Sequence, residues 1–114
     1  MMSPISLTAD TFADTIKDNE IVVVDFWADW CGPCHRFAPT FDASAADNPD
    51  VVHAKVDTEA EAGLAGAAQI RSIPTLMVFK KGTLVFRESG ALPAKALAQV
   101  LDAARAHEVA DPAQ

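Results

Sequence analysis

Ile21-Val22-Val23-Val24-Asp25-Phe26-Trp27-Ala28-Asp29-Trp30-Cys31-Gly32-Pro33-Cys34 is the stretch from which the rest of the chain can be read. From Ile21 to Trp27 every residue but Asp25 is β-branched or aromatic. That is the composition of a central strand buried on both faces. A helix is expected from about Cys34 to Asp47. Pro39 falls inside it and removes a backbone donor, which predicts a kink. The two cysteines stand where this helix begins. Residues three apart share a helix face, so their sulfurs can reach bonding distance without large backbone movement. Cys31 lies at the helix N-terminus, where unpaired N–H groups and the helix dipole favour an anion, lower a thiol pKa and enlarge the thiolate fraction. Pro33 suits the first turn, where its missing N–H would have no partner anyway. Asp25 is the odd member of the strand, because a carboxylate among apolar neighbours is costly to bury. Desolvation should raise its pKa, and Lys55, if close, should partly oppose that.

Working outward, Ser3 to Leu7 can hold a short edge strand. Thr8 or Asp10 can cap a helix to about Asp18, with Phe12, Ala13 and Ile16 on one face. Val51 to Val56 reads as a strand, and the Ala- and Glu-rich segment Glu59 to Ala67 as a helix. Thr75 to Phe79 and Leu84 to Glu88 read as a hairpin turning at Lys80-Lys81-Gly82. Pro93 fits the first turn of a last helix to about Ala106, with Leu97, Val100, Leu101 and Ala104 on its buried stripe. The predicted order is β-α-β-α-β-α-β-β-α: an α/β fold with a central mixed β-sheet flanked by helices on both faces. Residues 1–114 read as one domain with a core from about 5 to 107, and the tail 108–114 is expected to fray.

The totals agree with such a domain. Of the 114 residues half are apolar and 22% charged, a globular composition. No apolar run approaches the ~20 residues of a membrane span. The N-terminal Met1 to Ser6 has no basic region followed by an apolar one, so it does not read as a secretory signal. A cytoplasmic protein is therefore expected. Nine basic against sixteen acidic residues give a formal charge of −7, which argues against a nucleic-acid surface.

Cys31 and Cys34 are the only cysteines. A disulfide closing so short a loop restrains the unfolded chain little, so a structural staple is a poor explanation. In a reducing compartment such a pair is more often catalytic or metal-binding. Zinc usually takes four ligands, and His35, His53 and His107 have no recognised ligand spacing with the pair. No metal site is predicted.

At this point the chain resembles the thioredoxin family. Asp25 to Cys34, with its Trp-Cys-Gly-Pro-Cys, is similar to the active-site segment of thioredoxins, and Ile73-Pro74-Thr75 to their cis-proline loop. Lys81-Gly82 and Ser89-Gly90-Ala91 match later turns, and Lys55 stands at the matching place in the third strand. The likeness runs from about Leu7 to Ala106. Lys55 to Glu61 and Ile70 to Thr75 are similar to a subfamily that carries an N-terminal zinc module, for which this chain has no cysteines left.

The resemblance implies a thioredoxin fold and a protein-disulfide reductase with no bound cofactor. Electrons would come from an NADPH-dependent thioredoxin reductase and pass to disulfide-containing client proteins, with the chain acting as a monomer. Cys31 would be the exposed nucleophile and Cys34 the more buried resolving thiol. Asp25 would shuttle the proton that Cys34 must lose, through water, with Lys55 nearby. Pro74 would face the cysteines in cis. Trp30, Gly32, Pro33, Ile73, Pro74, Gly90 and Ala91 would form the substrate surface. His35, Arg36 and Ser89 depart from the common pattern, as does Glu59 in place of an Asp, and bear on substrate preference.

Two other readings remain at this stage: a thiol oxidase or isomerase of the same fold, and a docking subunit that uses the apolar surface around Trp30. Asp25 has the alternative of a structural carboxylate bonded to backbone, and Lys55 that of a solvated strand residue. Trp27 is expected to be mostly core, Trp30 and His35 exposed, and Glu59, Glu61 and Asp102 solvated on helix faces.

Overall fold

The computed structural model describes residues 2–109. The elements are β1 (Ile5–Ser6), α1 (Ala9–Asp18), β2 (Ile21–Trp27), α2 (Gly32–Asp47), β3 (Val52–Asp57), α3 (Ala62–Ala67), β4 (Thr75–Lys80), β5 (Thr83–Ser89) and α4 (Ala94–Ala106). The sheet order is β1-β3-β2-β4-β5, with β1, β3 and β2 parallel and β4 and β5 antiparallel. The predicted mixed sheet and its element order are thus present. Glu108 and Val109 follow α4 without regular structure, and the rest of the expected frayed tail, 110–114, lies outside the described residues.

The alternation of side chains along β2 divides the core. Ile21 and Val23 pack with Phe37, Phe41, Leu97 and Leu101 of α2 and α4. Val22, Val24 and Phe26 face the other way, onto Ile16 of α1 and Leu64 of α3. The strand is therefore covered on both sides, as its composition predicted. Asp25, in step with Ile21 and Val23, falls on the α2 side.

Strands β3, β4 and β5 shift by one residue at their ends from the sequence reading, and three larger differences have a local reason. α2 starts at Gly32, because Cys31 serves as its cap; it runs on through Pro39, which can offer no N–H to the His35 carbonyl. α3 starts at Ala62 rather than Glu59, because the Asp57 carboxylate accepts the N–H groups of Glu59 (2.9 Å) and Ala60 (3.3 Å) and closes a turn there. The hairpin turn is the two residues Lys81 and Gly82, with φ of 51° and 81°, the left-handed pair that matches strand twist.

Candidate active site

Cys31 and Cys34 are joined as a disulfide with Cα atoms 5.3 Å apart. The chain leaves β2 at Trp27, turns through Asp29 and Trp30, and enters α2 with Cys31 as the cap. Cys31 Sγ accepts the Cys34 N–H at 3.2 Å. No acidic side chain stands in the first turn of α2. An N–H aimed at sulfur and an unopposed helix N-terminus favour a thiolate at Cys31 when the bond is open.

The expectation of an exposed Cys31 beside a more buried Cys34 is corrected. Each is only 2% exposed, because the Cys31 sulfur turns back over the first turn of the helix and lies 3.8 Å from the Ile73 carbonyl oxygen. The two differ in what they border. Cys31 lines an open groove of about 670 Å³ between the α2 start, α3 and the segment before β4, whereas Cys34 does not. Trp30, Gly32, Pro33 and Ile73 line it too.

The Ile73–Pro74 peptide is cis, as the resemblance implied. Pro74 is buried, and its carbonyl accepts the Gly90 N–H at 2.8 Å. This bond ties the end of β5 to the start of β4. Gly90 makes the turn with φ of 104°, a conformation that strains any residue with a Cβ. Gly90 and Ala91 are exposed but lie outside the groove lining. Ser89 shares a hydroxyl contact of 3.0 Å with Thr75, so it too faces the start of β4.

Asp25 is 1% exposed, and neither carboxylate oxygen has a hydrogen-bond partner. The backbone-bonded alternative is therefore not what is seen. Burial pushes its pKa up from 3.8 to about 6, while the positive charge of Lys55 pulls the other way. Lys55 is directly opposite Asp25 across the parallel β2–β3 pair. Its ammonium lies 4.8 Å from the centroid of the Trp27 ring, so it is not simply solvated. Trp27 is only partly buried.

The sequence reading missed the role of Glu59. It sits in the Asp57 turn, not on a helix face, and its Oε1 accepts the Trp30 indole N–H at 2.7 Å. Trp30 is 70% exposed, so this bond fixes a large apolar side chain at the rim of the groove. Glu61 is likewise engaged, accepting the Ala9 N–H at 2.8 Å, and Asp102 pairs with Arg105 at 2.9 Å. Departure from the common Asp at position 59 was the available signal. Among the described residues no three of His, Cys, Asp and Glu converge as a metal site would require.

The thioredoxin family model matches residues 3–103. The chain is 47% identical to thioredoxin C-3 of Corynebacterium nephridii, over 89% of this chain and 70% of that one. It is 44% identical to thioredoxin 1 of Synechococcus elongatus, over 85% of this chain and 92% of that one. Among solved structures, Plasmodium falciparum thioredoxin superposes with a TM-score of 0.81 at 35% identity, covering 87% of this chain and 97% of that one. With a cysteine pair at the cap of α2, the Ile73 carbonyl before a cis-proline beside Cys31, and this likeness along nearly the whole chain, the protein belongs to the thioredoxin family and is a thiol–disulfide oxidoreductase that reduces protein disulfides.

Proposed function

We propose that Cys31 opens the client disulfide and Cys34 closes the cycle. The Cys31 thiolate attacks one client sulfur; the client S–S bond breaks, and the departing client thiolate takes a proton from water. Cys34 then gives its proton, through water, to the Asp25 carboxylate and attacks Cys31 Sγ. The mixed disulfide breaks, the second client sulfur leaves as a thiolate that takes a proton from solvent, to which Asp25 returns its own, and Cys31 and Cys34 are left oxidised. Two electrons from an NADPH-dependent thioredoxin reductase restore the pair. Asp25 suits the proton step, since a carboxylate with a pKa of about 6 and no hydrogen-bond partner is poised to accept near neutral pH. Lys55 keeps part of that charge tolerable.

The client would lie along the groove beside Trp30, Gly32, Pro33 and Ile73, with backbone next to Pro74 available to an extended segment. Gly90 and Ala91 complete the surface by carrying the turn bonded to Pro74. We place the protein in the cytoplasm as a monomer. The observation that carries the assignment is that Cys31, not Cys34, borders the open groove.

Client capture tests it. Cys34→Ser should attack and then stall, holding clients as adducts released by dithiothreitol, whereas Cys31→Ser should capture none. Equal capture by the two variants would overturn the roles.

A further inference from the structure

One turn in from the Cys31 cap, His35 reaches back over the loop that delivers Cys31. Its Nε2 lies 2.6 Å from the Asp29 carbonyl oxygen. A carbonyl only accepts, so Nε2 carries the proton in this contact. Among the described residues no backbone N–H reaches that carbonyl. The turn formed by Asp29 and Trp30 is thus closed from two sides. The Ala28 carbonyl accepts the Cys31 N–H at 3.1 Å, and the imidazole holds Asp29.

The ring of His35 is itself placed edge-on to Trp27, with centroids 6.4 Å apart and planes at 77°. Two charged groups surround this arrangement: the Asp29 carboxylate, 3.7 Å from Nε2, and Lys55, which lies over the Trp27 ring. The Asp29 carboxylate is almost fully exposed, so its attraction for His35 contributes little. The carbonyl bond is the contact that a substitution would remove.

We infer that His35 is a positioning residue for disulfide exchange. Its Nε2–H, by holding the Asp29 carbonyl, fixes the turn that aims Cys31 and the exposed Trp30 side chain at a client. Glu59 holds the Trp30 indole, and His35 holds the carbonyl of the Asp29–Trp30 peptide. The residue acts through the turn and not on sulfur. The inference rests on Cys31 being the attacking cysteine.

Two variants separate the hydrogen bond from bulk. His35→Leu fills the space without a donor, and His35→Gln returns an N–H at similar reach. The readouts are insulin reduction and amide hydrogen exchange of the Cys31 N–H, compared with amides of β2 and β3. Loss of the bond in the Leu variant should slow insulin reduction about three- to tenfold and speed Cys31 N–H exchange by a like factor, with β2 and β3 unchanged. The Gln variant should recover to within about twofold of wild type in both. A Leu variant with wild-type exchange, a Gln variant as impaired as Leu, or faster exchange throughout β2 and β3 would each overturn the inference. Altered Cys31 exchange rescued by Gln, but with reduction unchanged throughout, would overturn it too; a wrong choice of attacking cysteine would show separately, as equal client capture by Cys34→Ser and Cys31→Ser.

Discussion

Replacing Asp25 by Asn keeps the shape of the side chain and removes its charge. The magnitude follows from the folded value of about 6 against 3.8 for the free group. At about 1.36 kcal/mol per pH unit, that gap is about 3 kcal/mol. Lys55 is already included, since its attraction opposes the burial that sets the raised value. Above about pH 6 the carboxylate is ionised in both the folded and the unfolded chain, and the whole penalty weighs on the fold. Between about 6 and 3.8 the folded chain keeps a proton that the unfolded chain has released, so stability rises as pH falls. Below 3.8 both states are protonated and the penalty is gone.

Asp25→Asn should therefore be more stable than wild type by up to about 3 kcal/mol at pH 8. The gain should shrink across the interval from about 6 to 3.8 and vanish below it. Urea unfolding of both proteins with the disulfide intact measures this directly, provided the slopes agree. The same variant should resolve mixed disulfides more slowly, because Cys34 has lost its proton acceptor. Equal stability at pH 8, or a gain that grows in acid, would refute the argument. An Asn variant less stable at neutral pH and fully active would make Asp25 a structural carboxylate.

Other perturbations separate neighbouring effects. Trp27→Leu removes the aromatic face under Lys55, so the NMR titration midpoint of Asp25 should rise above its wild-type value. His53 donates from Nδ1 to the Val51 carbonyl (3.0 Å) and accepts from Ser44 (2.8 Å), and burial lowers its pKa from 6.5; it therefore contributes stability at neutral pH that is lost as pH falls below 6.5 through the lowered folded value. Urea unfolding in an Asp25→Asn background should expose that acid limb without the opposing contribution of Asp25. Arg105→Ala breaks pairs with Asp50 (2.8 Å) and Asp102 (2.9 Å), both carboxylates being exposed, and should cost about 1 kcal/mol in low-salt unfolding and less at high salt.

The strands and most helices were legible because the hydrophobic pattern and the packing agree. Ile21 to Trp27 is apolar throughout except at Asp25, and both faces of β2 are in fact covered. The raised pKa of Asp25 was legible for the same reason, since apolar neighbours on such a strand desolvate a carboxylate. What escaped the sequence was set by side chains bonding across loops. Glu59 looked like a helix residue until the Asp57 carboxylate captured the N–H groups that would have opened the helix. The same turn then brought Glu59 to Trp30, 29 residues earlier in the chain. Residue spacing carries no trace of such a contact. Nor could spacing show that Cys31 is as buried as Cys34, or that His35, though exposed, is tied to Asp29.

The site sits where the parallel strands β2 and β3 end, the place at which α/β sheets leave a crevice beyond their carboxyl ends. Three chain segments meet there with different tasks. The β2–α2 junction brings the cysteines to a helix N-terminus. The β3–α3 turn holds Trp30 through Glu59, and the segment before β4 sets the Ile73 carbonyl against Cys31. The sheet register links this rim to the interior, because Asp25 and Lys55 are partners across β2 and β3 beneath it. A carboxylate there cannot be given the hydrogen bonds that would stabilise it without lowering the pKa that suits it to accept a proton. The fold carries that loss in the best-packed strand of the domain, where apolar contacts on both faces can offset it. Stability and proton transfer are thus set against each other at one residue, and the position that tolerates the conflict lies between fully buried neighbours, Val24 and Phe26.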